Sequence, residues 1–393
     1  MPSNPPTSSH PGVWRQLLAL VALSAVGSVM PLGAPALAGV LARGFALSPS
    51  QVGLYFLSEL GATSLVSLPA ILLVRYVPLR RAMAMAVGGF VVFNLLSWFA
   101  GSYAWLLALR VGASAAGGTV MILTMTGIAR LPRQEVGFGA WVAGQLMLSA
   151  LVILAFPVIA DHIGVQGVYV FVALLMAGAA VTLPWLPASV APGAAEVGVS
   201  VDILGTGLRI GGVLLFYLAI AGIWTFLEKI GVDSGLLRAR VDSAMATAAL
   251  FGIVGGLCAS AVGRWVDQRG LGHAALALMA GYGLIVVALL ALIGDLSGLR
   301  FLGAACVFKF AWTFTVPFVL ARIVRLARAI ETMAVVNLTL GAGFALGPAA
   351  GGYVLQTSGG TTPLLLGACL LLAGSVLLIL VRHRPRGLID NVS

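Results

Sequence analysis

The segment Leu302–Phe318, LGAACVFKFAWTFTVPF, is apolar throughout except for Lys309 near its middle. Such a run reads as a helix in hydrocarbon, where a lysine costs about 3 kcal/mol even on lenient insertion scales. At about 1.5 Å per residue, Lys309 sits roughly 15 Å from the end of its span. Its stem can snorkel only part of that distance. Helical spacing puts Ala305 and Cys306 on one side of it and Trp312 and Thr313 on the other. That face offers a cation, a hydroxyl and an aromatic plane together. Two readings follow: a lysine that meets a solute, or one neutralised inside a bundle by a glutamate or by carbonyls.

The rest of the 393 residues has the same character, 60% hydrophobic and only 9% charged, which excludes a water-soluble domain. A net charge of +10 would suggest nucleic acid in a soluble protein. Here the basic residues lie in short loops between apolar runs and report topology instead, so no nucleic-acid partner is expected. Cys258, Cys306 and Cys369 all fall inside apolar runs, with no CxxC and no clustered histidine. No disulfide framework, metal site or cofactor is therefore expected. His10, His162, His273 and His383 are scattered over tails and loops, which gives no catalytic constellation and argues against an enzyme.

Twelve apolar runs of about 20 to 26 residues can each cross a core of about 30 Å. They predict an all-α integral membrane protein with twelve transmembrane helices in two six-helix bundles. The expected organisation is a disordered tail over 1–13, a first bundle over 14–187, a linker over 188–207, a second bundle over 208–382 and a tail over 383–393. The first run holds Gly27, Pro31, Gly33 and Pro35 and should be bent. Ser48-Pro49-Ser50-Gln51 reads as a capping box with proline at the first helical position. With the N-terminus inside, fifteen arginines fall in inner loops and tails, against five basic residues in outer loops. Both termini are then cytoplasmic. A bias to arginine, alanine and glycine suggests a bacterial source, and hence a multi-pass inner-membrane protein.

The halves echo each other. LVRYVPLRR after the second run corresponds to VGRWVDQRG after the eighth, and FPVIAD at the end of the fifth corresponds to GPAAGG in the eleventh. Duplication of this kind places a solute site at mid-membrane between repeats. On these stretches the chain resembles the major facilitator superfamily over essentially its whole length. Pro35–Gly53 resembles the family's first connection, and Gly263–Gly270 (GRWVDQRG) matches the G-x-x-x-D-x-x-G core of its signature loop. The first-half copy departs from it, with Ala70 and Val74 where glycine and aspartate are usual. Gly343–Gly352 has the form G-x-x-x-G-P-x-x-G-G, which drug–proton exchangers carry in the fifth span, where this chain has only FPVIAD.

The resemblance implies a secondary transporter working by alternating access, with spans 1, 4, 7 and 10 lining a central cavity. Arg110 in span 4 and Lys309 in span 10 would then both face it, together with Ser114, Trp312 and Thr313. Two cations in a low-dielectric cleft suit a carboxylate, so the expected substrate is a small organic anion taken up with protons. Proton-coupled efflux of drug-like molecules is the alternative, and a non-transporting membrane scaffold or receptor a more distant one. Glu59, inside span 2, is the expected proton carrier; a salt bridge to Arg110 or Lys309 is its other reading. Gly263, Arg264, Asp267 and Arg269 are expected to latch the cytoplasmic ends. Gly347 and Pro348 should let span 11 rock, and Glu228 with Lys229 should form a charge cluster at the outer rim. Partners are a small solute, protons and lipid, and a monomer is expected.

The arginine distribution makes a topology prediction. In a protein lacking the three native cysteines, a cysteine at Ser102 or Ser358 should react with an impermeant thiol reagent applied to intact cells, and one at Gln134 should not. Labelling of Gln134→Cys from outside would invert the orientation.

Overall fold

The computed structural model describes residues 11–66, 69, 76–187, 203–269, 271–324 and 330–380. The expected tails and linker, the first-half turn around Ala70 and Val74, and the side chains of Asp267, Arg269 and Asn337 lie largely or wholly outside the described residues. Every regular element among the described residues is helical. The chain runs through α1 (Pro11–Gly27), α2 (Val29–Leu32), α3 (Ala34–Gly44), α4 (Pro49–Leu65), α5 (Leu79–Leu96), α6 (Tyr103–Ile128), α7 (Gln134–Ile163) and α8 (Val165–Ala180). It continues with α9 (Ile203–Thr225), α10 (Leu227–Asp233), α11 (Arg238–Arg269), α12 (Leu271–Ala291), α13 (Gly298–Val324), α14 (Ile330–Ser358) and α15 (Thr362–Leu380). Ten of these helices are long and apolar enough to cross a membrane.

Of the two remaining expected spans, the first departs from a single long helix. It is cut into α1, α2 and α3 at Ser28 and Gly33, beside prolines that remove helix hydrogen bonds. The second is described as α4 only to Leu65. The capping box is present: Ser48 donates its N–H to Gln51 Oε1 at 2.9 Å, and Gln51 N–H reaches Ser48 Oγ at 3.3 Å. Outward faces carry bare leucines such as Leu174, Leu257, Leu370 and Leu377. Patches like these would drive aggregation in water and cost nothing against lipid tails.

Contacts divide the chain into two units. One comprises Met1–Gly33 with Ala62–Gly193, the other Ala34–Gly61 with Ala194–Ser393. The break at Gly33 in the first span thus falls where the chain passes from one unit to the other. In the first unit α1 packs on α6 and α7, and α5 on α6. A Cβ on Gly117 would lie 2.9 Å from the Gly27 carbonyl, so the two backbones nearly touch. Gln145 donates to Ser28 Oγ at 3.1 Å and Ser149 to the Leu32 carbonyl at 2.9 Å, tying α7 to the broken first span. Arg80, from the basic turn, donates through Nε at 2.9 Å to the Leu186 carbonyl.

In the second unit α9 packs on α14 and α15, and α13 on α11 and α12. On α11, Gly256 faces open space. Gly255 instead meets the Phe310 carbonyl and the Thr313 hydroxyl of α13, because it is the glycine one position round the helix. On α14 the expected glycine face is real: Cβ atoms on Gly343 and Gly347 would come within 2.6 Å of Tyr217 Cβ and 2.5 Å of the Leu218 carbonyl. Gly53 of α4 and Gly352 of α14 likewise press on the Pro348 and Pro49 carbonyls. Ser375 closes the unit with one hydrogen bond to the Gly212 carbonyl at 2.6 Å and another with Tyr282 at 2.7 Å.

Two glycines of similar helical context can therefore be told apart. Gly347→Val should cost about 1 to 3 kcal/mol through overpacking against α9. Gly256→Val, with nothing within reach of its Cβ, should be close to neutral. Thermal unfolding of the detergent-solubilised protein measures both.

Candidate solute-binding site

Among the described residues Lys309 is the most enclosed cation of the second unit, 2% exposed. Its ammonium lies 3.8 Å from the centre of the Trp312 ring, one turn along α13, and 4.0 Å from that of Trp224 at the end of α9. The two indoles meet at 74°, so the charge sits in a corner between two π faces. Among the described residues the ammonium makes no ion pair and no hydrogen bond. A desolvated cation–π contact is worth about 2 kcal/mol. Two of them match the cost of holding lysine in hydrocarbon, about 3 kcal/mol. Phe308 and Phe344 stand 6.0 Å from Trp312, and Phe344 continues to Tyr217 at 4.7 Å. Two rings, from two helices, thus flank the charge, and the aromatic cluster extends from Trp312 to a third helix through Phe344. Thr313 does not join them. Its hydroxyl donates to the Gly252 carbonyl at 2.8 Å and serves the contact with α11.

Arg110 belongs to the first unit and is fully buried in α6. Its guanidinium donates to Asn94 Oδ1 at 2.9 Å and stacks 4.8 Å over the Tyr169 ring. Asn94 in turn donates to the Phe90 carbonyl of its own helix, which sets the amide's orientation. The small residues that follow Arg110 also serve the packing of α6. Gly117 permits the approach to Gly27, and the Ser114 carbonyl accepts from Thr63 at 3.2 Å. Glu59 is buried at 2% on α4, one turn after Tyr55 and Phe56, whose rings meet edge to face.

Glu228 is buried on α10, 2% exposed. Its Oε1 takes a 2.6 Å ion pair from Arg43 of α3, and its carboxylate fills the space where Gly39 lacks a side chain. Lys229 turns instead to Asp233, at 2.9 Å. Arg264 is exposed near the end of α11, which Gly263 and the backbone of Asp267 and Arg269 continue as helix.

Sequence reasoning missed four partners: Trp224 for Lys309, Asn94 and Tyr169 for Arg110, and Arg43 for Glu228. All but Asn94, sixteen residues before Arg110, are distant in the chain from the residues they serve. The only sequence signal was that a buried charge must have some neighbour.

Charges held in the apolar interior of long membrane-length helices fit a membrane transporter. The family model of the Major Facilitator Superfamily matches residues 16–333, and the chain belongs to that superfamily of secondary transporters. Among solved structures, the fold is similar to that of a bacterial homologue of the human lysosomal transporter Spinster, in an inward-facing and unoccupied conformation. The TM-score is 0.66 at 14% identity, over 95% of each chain.

The Asn94 contact can be measured. Asn94→Leu takes away the oxygen to which a buried guanidinium donates, and should lower stability by about 1.5 to 3 kcal/mol. Gly88→Ala on the same helix, facing open space, is the control.

Proposed function

We propose that this transporter carries a small organic anion, with proton-coupled uptake as the favoured direction and Lys309 as the group that meets the solute's carboxylate. The observation that supports this reading is the ammonium of Lys309, buried between Trp224 and Trp312 with no carboxylate among the described residues beside it. A lysine serving only the fold would gain most from an acidic partner. This one is held by π faces, which support a cation yet leave its hydrogen-bond donors unused. An entering carboxylate can take those donors, and the surrounding rings favour an apolar or aromatic body.

Arg110, with Ser114 on the following turn, is proposed as the corresponding cationic element of the first unit. Glu59 is proposed as the proton carrier. Gly263, Arg264, Asp267 and Arg269 are proposed to latch the ends of spans on the side the arginine distribution makes cytoplasmic. Gly347 and Pro348 are proposed to let α14 shift against its neighbours, and Glu228 with Arg43 to hold the opposite side. The bacterial inner membrane and a monomeric state complete the proposal.

Reconstituted proteoliposomes test it, with labelled organic acids such as benzoate offered with and without a pH gradient. Lys309→Met should weaken solute binding by about 2 to 5 kcal/mol, the range for truncating one member of a buried charge pair. Lys309→Arg keeps charge but not shape and should fall between. Glu59→Gln should abolish gradient-driven accumulation while solute exchange continues. Unchanged affinity in Lys309→Met, with only stability lowered, would make the lysine a structural element.

A further inference from the structure

The second unit holds a cavity of about 250 Å³ between α3, the start of α4, α10 and the first residue of α11. Its walls are apolar, with Leu47, Val52, Phe226 and Val232 among them, and its charged groups are Arg43, Lys229 and Arg238 against Glu228 and Asp233. These charges are unevenly committed. Lys229 and Asp233 satisfy each other at 2.9 Å, and Arg43 holds Glu228 at 2.6 Å. Arg238 is left over. Its Nε is 3.8 Å from a Glu228 oxygen already engaged by Arg43, and among the described residues its guanidinium makes no hydrogen bond. The other oxygen of Glu228, fully enclosed, has no hydrogen-bond partner among the described residues. Two guanidinium groups therefore share one carboxylate. Arg238 is 40% exposed and opens the first turn of a 32-residue helix, where the macrodipole also favours an anion.

We propose that this cavity is a second binding site, separate from Lys309, for a small amphipathic carboxylate. Its carboxylate is received by Arg238 and competes with Glu228 for Arg43, and its apolar body lies along Phe226, Leu47 and Val232. The volume lies just below the range of about 300 to 1,000 Å³ usual for ligand pockets. That size suits a single ring with one carboxyl group. The same chemistry is carried by a free organic acid or by the head of a fatty acid from the bilayer. By the arginine distribution the site faces outside, and a bound anion loosens the Arg43–Glu228 pair there.

Val232→Cys, in full-length protein whose three native cysteines are replaced by alanine, reports occupancy locally through its rate of alkylation by N-ethylmaleimide in nanodiscs. Benzoate should slow that rate several-fold and saturably, and benzyl alcohol of the same size should not. Protection by oleate without protection by benzoate assigns the carboxylate to the bilayer and upholds the site. Arg238→Gln should remove the protection without changing the unliganded rate, which also shows that the wall is intact, and Arg238→Lys should restore part of it. Lys309→Met should leave it unaltered, so this result stands or falls apart from the reading at Lys309. Leu47→Cys gives the same readout from the opposite wall. Equal protection by benzyl alcohol, protection that survives Arg238→Gln, or no protection by either acid at both cysteines overturns the proposal.

Discussion

A charge inside a hydrocarbon slab must be solvated by the protein itself, and the described structure meets this demand in three ways. Lys309 is solvated by two π faces, Arg110 by an amide oxygen and a tyrosine ring, and Glu228 by an arginine from another segment. These solutions differ in what they leave available. An ion pair consumes both charges, whereas a π face screens a cation without occupying its donors. The chemistry proposed for Lys309 follows from that difference rather than from the presence of a lysine alone.

The same economy governs packing. In lipid, helices gain nothing by hiding leucine from leucine, so association relies on close backbone approach and on a few polar ties. Gly27 against Gly117, and Gly222 against the Gly347 carbonyl, bring backbones to contact distance. The Ser375–Gly212 and Gln145–Ser28 hydrogen bonds then fix register. Gly39 extends the principle from packing to electrostatics, because its missing side chain is the space the Glu228 carboxylate occupies. A purely packing glycine and a charge-seating glycine look identical in the sequence.

The broken first span connects these features. Pro31 and Pro35 divide it so that α1 and α2 belong to one unit while α3 contributes Gly39 and Arg43 to the other. A straight helix over the same residues would not divide its contacts in this way. The proline and glycine content of that segment therefore determines where an arginine 185 residues away in the chain can reach Glu228.

Hydropathy, loop charge and repeated motifs were enough to read the helical membrane class, the superfamily, the capping box at Ser48 and the glycine face of α14. Each rests on local periodicity or on residues adjacent in the chain, which a sequence displays directly. The sequence also marked Lys309, Arg110 and Glu59 as residues needing an explanation, since the cost of burying charge is local. What answers that cost is not local. Trp224, Asn94, Tyr169, Arg43 and Arg238 acquire their roles through contacts between helices, and a rotation of one position, as between Gly255 and Gly256, changes which residue makes them. Those rotations are set by the packing of whole helices, so only the tertiary structure could decide which charges are neutralised and which stand ready for a partner.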